Sequence, residues 1–248
     1  MRLIPLEIGR LESSLKFLTG LDGTAILPIP SWLIEHRNGL VLFDTGLHVE
    51  LQTRTDRLGR SAAAFTPHFH AGEELSARLA ARNIRPGDIS HIVFSHLHFD
   101  HAGGTAEIPD ARVVVQASEW HAGHDQRLID GDVYNPDDFD HGHDLELIEG
   151  SHDVFGDGRV VCVPTPGHTV GHQALRVELE SGPVVLTGDC VYFEQMLDDM
   201  SVPRIGYDHD QQRASMRELV RLRDDDHCRL LFGHDQAQFG ALPRDGLT

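Results

Sequence analysis

Apolar residues arrive in short runs separated by polar turns along nearly the whole chain. Runs at 3–8, 31–35, 40–43, 91–94, 112–115, 160–163, 174–177, 184–186 and 229–232 are rich in Val, Ile and Leu. They read as strands covered on at least one face. Asn38-Gly39, between two of them, signals a two-residue hairpin turn with positive φ at both positions. Helical spacing is expected at 72–82, 117–122 and 210–223; in the last, Met216, Leu219, Val220 and Leu222 form a one-sided apolar stripe. Strands interleaved with helices predict an α/β architecture. Without a linker, repeat or low-complexity segment, residues 1–248 read as a single domain. The acidic stretch GDVYNPDDFDHGHD (131–144) reads as an irregular, solvated loop or lid whose Asn-Pro pair marks a turn.

Charge narrows the partners. With 21 basic and 39 acidic residues, the formal charge is 21 − 39 = −18. That opposes binding to nucleic-acid phosphates, which needs Lys and Arg to displace counterions. It equally opposes docking on an anionic membrane surface. A small, neutral or weakly charged molecule is the easier substrate. Cys162, Cys190 and Cys228 make an odd, unclustered set, which is no disulfide framework and points to a reducing compartment. The N-terminal stretch carries Glu7, Arg10 and Glu12 and lacks the apolar core of a signal peptide. No run approaches the roughly 18 apolar residues of a spanning helix. A cytoplasmic protein, monomeric or homodimeric, is expected.

The chemistry concentrates at strand ends. Eighteen histidines are many for 248 residues, and they are scattered rather than run together as in a tag. SHLHFDHAGG (95–104) follows the apolar HIVF. Residues two apart in extended backbone project to the same side, so His96 and His98 can converge on one ion. Asp100 and His101 lie past a turn and can face a second. Three more polar groups recur after apolar strands: His168 in PTPGHTVGH, Asp189 in VVLTGDC and His234 in LLFGHD, each preceded by a glycine. His96, His98 and His168 would hold one ion, and Asp100, His101 and His234 the other, with Asp189 as the bridge. Imidazole and carboxylate ligands without thiolate suit Zn²⁺, with Co, Mn or Fe also admitted. The paired histidines at 68/70, 121/124 and 141/143 have no third partner at a strand end and read as solvated or capping groups.

HxHxDH, then PGH, GD and GH, in that order, resembles the metallo-β-lactamase superfamily of dinuclear metallohydrolases. SHLHFDHAGG and FGHD are most similar to the N-acyl homoserine lactone lactonases, the quorum-quenching enzymes. The resemblance runs from VLFDTG to FGHDQAQF and implies an αββα sandwich, two mixed sheets face to face with the metals at one edge. It implies that Tyr192, in GDCVYF, is the active-site tyrosine. It also implies that Asp44, in FDTG, supports the ligand histidines from behind. Phe17, Leu18, Leu21, Phe65 and Phe69 are candidates to line an acyl-chain pocket, in segments that match no family motif. The implied reaction opens the lactone ring by hydrolysis, with Asp100 and Tyr192 as catalytic groups. The alternatives are another lactone, ester or thioester hydrolase of pyridoxolactonase or glyoxalase II type, a mononuclear-iron persulfide dioxygenase, and a non-catalytic metal-binding module.

Overall fold

The computed structural model describes residues 1–20 and 22–248. Seven strands form one sheet: β1 (Arg2–Ser14), β2 (Thr24–His36), β3 (Gly39–Phe43), β4 (Phe65–His68), β5 (Ile89–Val93), β6 (Arg112–Gln116) and β7 (Leu145–Ile148). Their order is β4-β1-β2-β3-β5-β6-β7. A second sheet has the order β12-β11-β10-β9-β8, from β8 (His152–Asp153), β9 (Val160–Pro164), β10 (Gln173–Leu179), β11 (Gly182–Leu186) and β12 (Arg229–Leu231). Both sheets are mixed: β3, β5, β6 and β7 run parallel, as do β11 and β12, while the other pairs are antiparallel.

Side-chain alternation explains the layers. Trp32, Ile34, Val41 and Phe43 point from the first sheet into one apolar cluster, where they meet Cys162, Leu175, Val177 and Leu186 from the second. Their neighbours Leu33, Leu42 and Ile92 belong to the other cluster, with Leu75 and Leu79 of helix Leu75–Ala80. Behind the second sheet, Val185 and Leu230 share that cluster with Met216, Leu219 and Leu222 of helix His209–Asp224. Each sheet is thus apolar on both faces, which is why its strands read as unbroken Val/Ile/Leu runs rather than as alternating ones. The result is the expected αββα sandwich.

Several local expectations shift. β1 and β2 run far beyond 3–8 and 31–35, into stretches where Glu12, Ser13, Pro28 and Pro30 break the apolar pattern. Their long pairing absorbs a register change between Glu7 and Arg10. The hairpin after β2 exists, but His36 pairs with Gly39, so Arg37 and Asn38 form the turn, and Asn38 keeps a negative φ. Gly39 instead starts β3, where Ser90 of β5 packs against its backbone. The acidic 131–144 segment is no free solvated loop. Tyr134, Asp138 and Phe139 are buried, and Asp138 accepts from the Arg57 guanidinium at 2.6 Å. No helix among the described residues is long and apolar enough to cross a membrane.

Candidate metal centre

The site is built where strands end. Ser95 and His96 leave β5, and His98 sits at the start of a single-turn helix, Phe99–Ala102, that carries Asp100 and His101. His168 follows β9, Asp189 follows β11 and His234 follows β12. Asp44 closes β3 with φ 62°, a left-handed backbone that Asp tolerates better than most residues. The turn it starts lies directly on the histidine segment: Thr45 N–H donates to the His101 carbonyl at 2.7 Å. A Cβ on Gly103 or Gly104 would strike this Asp44–His48 stretch, so the two glycines of HAGG allow the close approach.

Two groups of ligand atoms result. His96 Nε2 and His168 Nε2 lie 3.0 and 3.1 Å from His98 Nδ1. Opposite them, His101 Nε2 and His234 Nε2 lie 3.8 and 3.9 Å from Asp100 Oδ2. Asp189 spans the two: its Oδ2 is 3.2 Å from His168 Nε2, and its Oδ1 is 3.2 Å from His101 Nε2 and 3.0 Å from His234 Nε2. All seven side chains foreseen as ligands therefore meet, in the two groups expected, with Asp189 between them.

The donor chemistry fits cations. Ser95 donates its hydroxyl to Asp44 at 2.8 Å, so it accepts the Nδ1–H of His96 at 2.9 Å. His101 Nδ1–H donates to Asp44 Oδ2 at 2.8 Å, and His234 Nδ1–H to the Pro28 carbonyl at 3.0 Å. Each of these rings is fixed in the tautomer that turns a bare Nε2 lone pair inward. Buried His101 Nε2 and Asp189 Oδ1 find no hydrogen-bond partner there despite their proximity. Inward lone pairs without donors are costly unless a positive ion meets them. His172 supports Asp189 from outside: the Asp189 N–H donates to its Nε2 at 3.0 Å, and Thr165 accepts at its other ring nitrogen. Burial pushes the His172 pKa down to about 3, so the ring stays neutral and can accept.

A cavity of about 1270 Å³ opens onto the centre. His98, Asp100, His168, Asp189 and Tyr192 form its floor. Tyr192 is buried, with its ring 4.9 Å from that of His234. Burial, reinforced by Asp189 and Asp100, holds its phenol well above the ordinary tyrosine pKa, hence protonated.

The pocket expectations divide. Phe17 and Phe65 line the cavity, edge to face at 5.9 Å, and Phe65 also meets Phe99 at 5.9 Å. Leu18 and Phe69 do not line it. Leu18 is fully buried in the core, and Phe69 packs on the backbone of Gly9 within it. Leu21 lies outside the described residues. Sequence reasoning missed Tyr134, Val133 and Arg204 on the cavity wall. It also missed Glu119, a fully buried carboxylate beside the ligand loops. Of the remaining histidines, His68 pairs with Glu12, His124 with Asp140, and His143 bonds the Ile108 carbonyl; none joins a ligand group among the described residues. Cys162, Cys190 and Cys228 are all buried and free.

A two-sheet sandwich with His/Asp ligand groups at one edge defines a metal-binding hydrolase scaffold. The chain belongs to the metallo-beta-lactamase superfamily, whose family model matches residues 25–234. It is 29% identical over 245 residues to the N-acyl homoserine lactonase AttM of Azorhizobium caulinodans, covering 95% of this chain and 93% of that one. To an N-acyl homoserine lactonase of Bacillus cereus it is 30% identical over 216 residues, with 86% and 83% covered. An N-acyl homoserine lactone hydrolase solved with the product N-hexanoyl-L-homoserine at its catalytic metal centre superposes with a TM-score of 0.87, at 26% identity, over 98% of this chain and 96% of that one.

Proposed function

We propose that this enzyme hydrolyses the lactone ring of N-acyl homoserine lactones to N-acyl homoserines, using two divalent ions, preferentially Zn²⁺. The observation that carries the reading is Asp189, whose two oxygens face separate histidine groups at 3.0–3.2 Å, on the floor of a cavity with an aromatic wall. His96, His98 and His168 would hold one ion and Asp100, His101 and His234 the other, with Asp189 shared. Ions held there would supply Lewis acidity, lowering the pKa of water toward 7 and polarising the ester carbonyl.

The chain's own groups supply the rest. Ring opening develops negative charge on the carbonyl oxygen and then on the departing ring oxygen. The protonated Tyr192 phenol is suited to donate to the first, an interaction worth about 2.7–4 kcal/mol for comparable oxyanion donors. Asp100, on the cavity floor, is suited to carry the proton to the second. Phe17, Phe65 and Phe99 offer an acyl chain apolar surface beside the centre. The alternative lactone and thioester substrates share the floor, and the substrate panel below separates them from acyl homoserine lactones.

The test is mass spectrometry of short- and long-chain N-acyl homoserine lactones incubated with zinc- or cobalt-loaded protein. A gain of one water with kcat/KM above roughly 10⁴ M⁻¹s⁻¹ is expected. Absence of hydrolysis by protein carrying two ions per chain would overturn the lactone substrate and move the assignment to another ester.

A further inference from the structure

Glu119 lies outside both ligand groups, yet it joins the loops that carry one of them. Its Oε1 accepts from the Leu97 N–H at 3.1 Å and the Tyr134 hydroxyl at 2.9 Å. Its Oε2 accepts from the Thr169 hydroxyl at 2.7 Å and the Gly171 N–H at 3.0 Å. Leu97 stands between His96 and His98, and Thr169 directly follows His168. The carboxylate thus ties together the two segments that present the His96, His98 and His168 nitrogens. Through Tyr134 it also fastens the acidic 131–144 segment, whose Tyr134 ring lies 5.5 Å from that of His98 and lines the cavity. A side chain at Gly171 would collide with the Glu119 backbone, so the contact depends on a glycine there.

We propose that Glu119 is a positioning residue for the His96/His98/His168 ion and the latch of the Tyr134 cavity wall. Four donors occupy two oxygens, so the carboxylate has no lone pair left for a proton and serves as an acceptor throughout. Burial raises its pKa, and the four hydrogen bonds oppose that rise. Each oxygen faces one backbone N–H, and backbone N–H groups cannot reverse their direction. Glutamine has a single carbonyl, so its amide must point a donor at either Leu97 or Gly171. Whichever end loses, one ligand loop is pushed from its place. His101 and His234 are held instead by Asp44 and Pro28 and have no link to Glu119.

The inference rests on the lactonase reading only where a substrate is used; its metal arms hold for any substrate. The experiment is chelator-competition titration of zinc and cobalt on the wild type and on Glu119→Gln, Thr169→Val and Tyr134→Phe. Glu119→Gln is expected to weaken one of the two binding steps about 10–100-fold and leave the other within a few-fold. Thr169→Val, which deletes a single hydroxyl, is expected to move the same step less. Tyr134→Phe is expected to leave both steps in place and raise KM for lactones with little change in kcat. Two unshifted steps in folded Glu119→Gln would overturn the positioning role. Should Glu119→Gln fail to fold, unshifted steps in Thr169→Val would overturn it equally. An unchanged KM in Tyr134→Phe would overturn the latch.

Discussion

His101 Nδ1 donates to Asp44 Oδ2 at 2.8 Å across 57 residues of sequence, and the same carboxylate takes the Ser95 N–H and hydroxyl at 2.7 and 2.8 Å. One side chain therefore sets the tautomer of His101 directly and that of His96 through Ser95. Asp44→Asn keeps the left-handed backbone and the size but replaces one acceptor oxygen with a donor. Metal affinity is expected to fall about 10–100-fold, the usual cost of losing such support. Equilibrium dialysis with metal analysis checks this, and retained stoichiometry at low free zinc would contradict it.

Phe65 bridges Phe17 and Phe99 on the cavity wall. If an acyl chain lies there, Phe65→Ala removes apolar contact shared by ground and transition states. KM for long-chain substrates is then expected to rise about 5–30-fold, the equivalent of about 1–2 kcal/mol of lost burial. kcat should hold, because uniform binding affects KM alone. Short-chain substrates should change far less, and an equal effect on both would place the chain elsewhere.

The fold was legible where a strand is covered on both faces. Val41, Phe43, Val93 and Val160 sit in unbroken apolar runs, and burial on both sides leaves no polar position to break them. The outer halves of β1 and β2 were not legible. Glu12 is half-buried and Ser14 exposed, and Pro28 and Pro30 carry no strand signal of their own. The helix expected at 72–82 spans only Leu75–Ala80, because Gly72 before it and Asn83 after it take positive φ, 91° and 60°, which a right-handed helix does not admit.

The convergence of these His and Asp side chains was legible because metal chemistry demands such groups at strand ends, where little else explains them. The cavity wall was not. Tyr134 is one apolar ring in an acidic stretch, and its burial depends on meeting Glu119, which is 15 residues away. Glu119 itself sits in an amphipathic helix, Ala117–Gly123, where a glutamate reads as a solvent-facing residue. A lone buried carboxylate leaves no spacing to detect, since its donors come from three separate segments.

Tyr192 yields a prediction in which pH decides. Burial and the neighbouring carboxylates raise its phenol above the ordinary value of 10.0. A raised acid constant keeps the neutral, donating form through the neutral and mildly alkaline range, so its ionisation does not shape the rate profile there. Tyr192→Phe should lower kcat about 10²–10³-fold, as for loss of an oxyanion donor. The curve of kcat against pH should keep its shape, simply displaced downward, with metal content unchanged. Loss of an alkaline limb in the variant would show that the phenol titrates in the working range.

Removing the ions should destabilise the chain, since the folded state alone gathers these ligands. Ion-free, the fold must hold His96, His101, His168 and His234 lone pairs and two carboxylates in a buried cluster. A ligand present at 1,000 times its Kd contributes about 4.1 kcal/mol. At about 2–4 °C per kcal/mol for a chain of this size, chelation should lower Tm by about 8 °C or more. Acid should act in the same direction. Imidazole binds metal only when deprotonated, so falling pH sets protons against ions at each histidine. The Tm gap between loaded and chelated protein should therefore narrow as pH drops below the ordinary histidine range, about 6.5. Differential scanning calorimetry over a pH series reads that gap. A gap that stays constant into acid would mean that the ions are held by carboxylates rather than by these histidines.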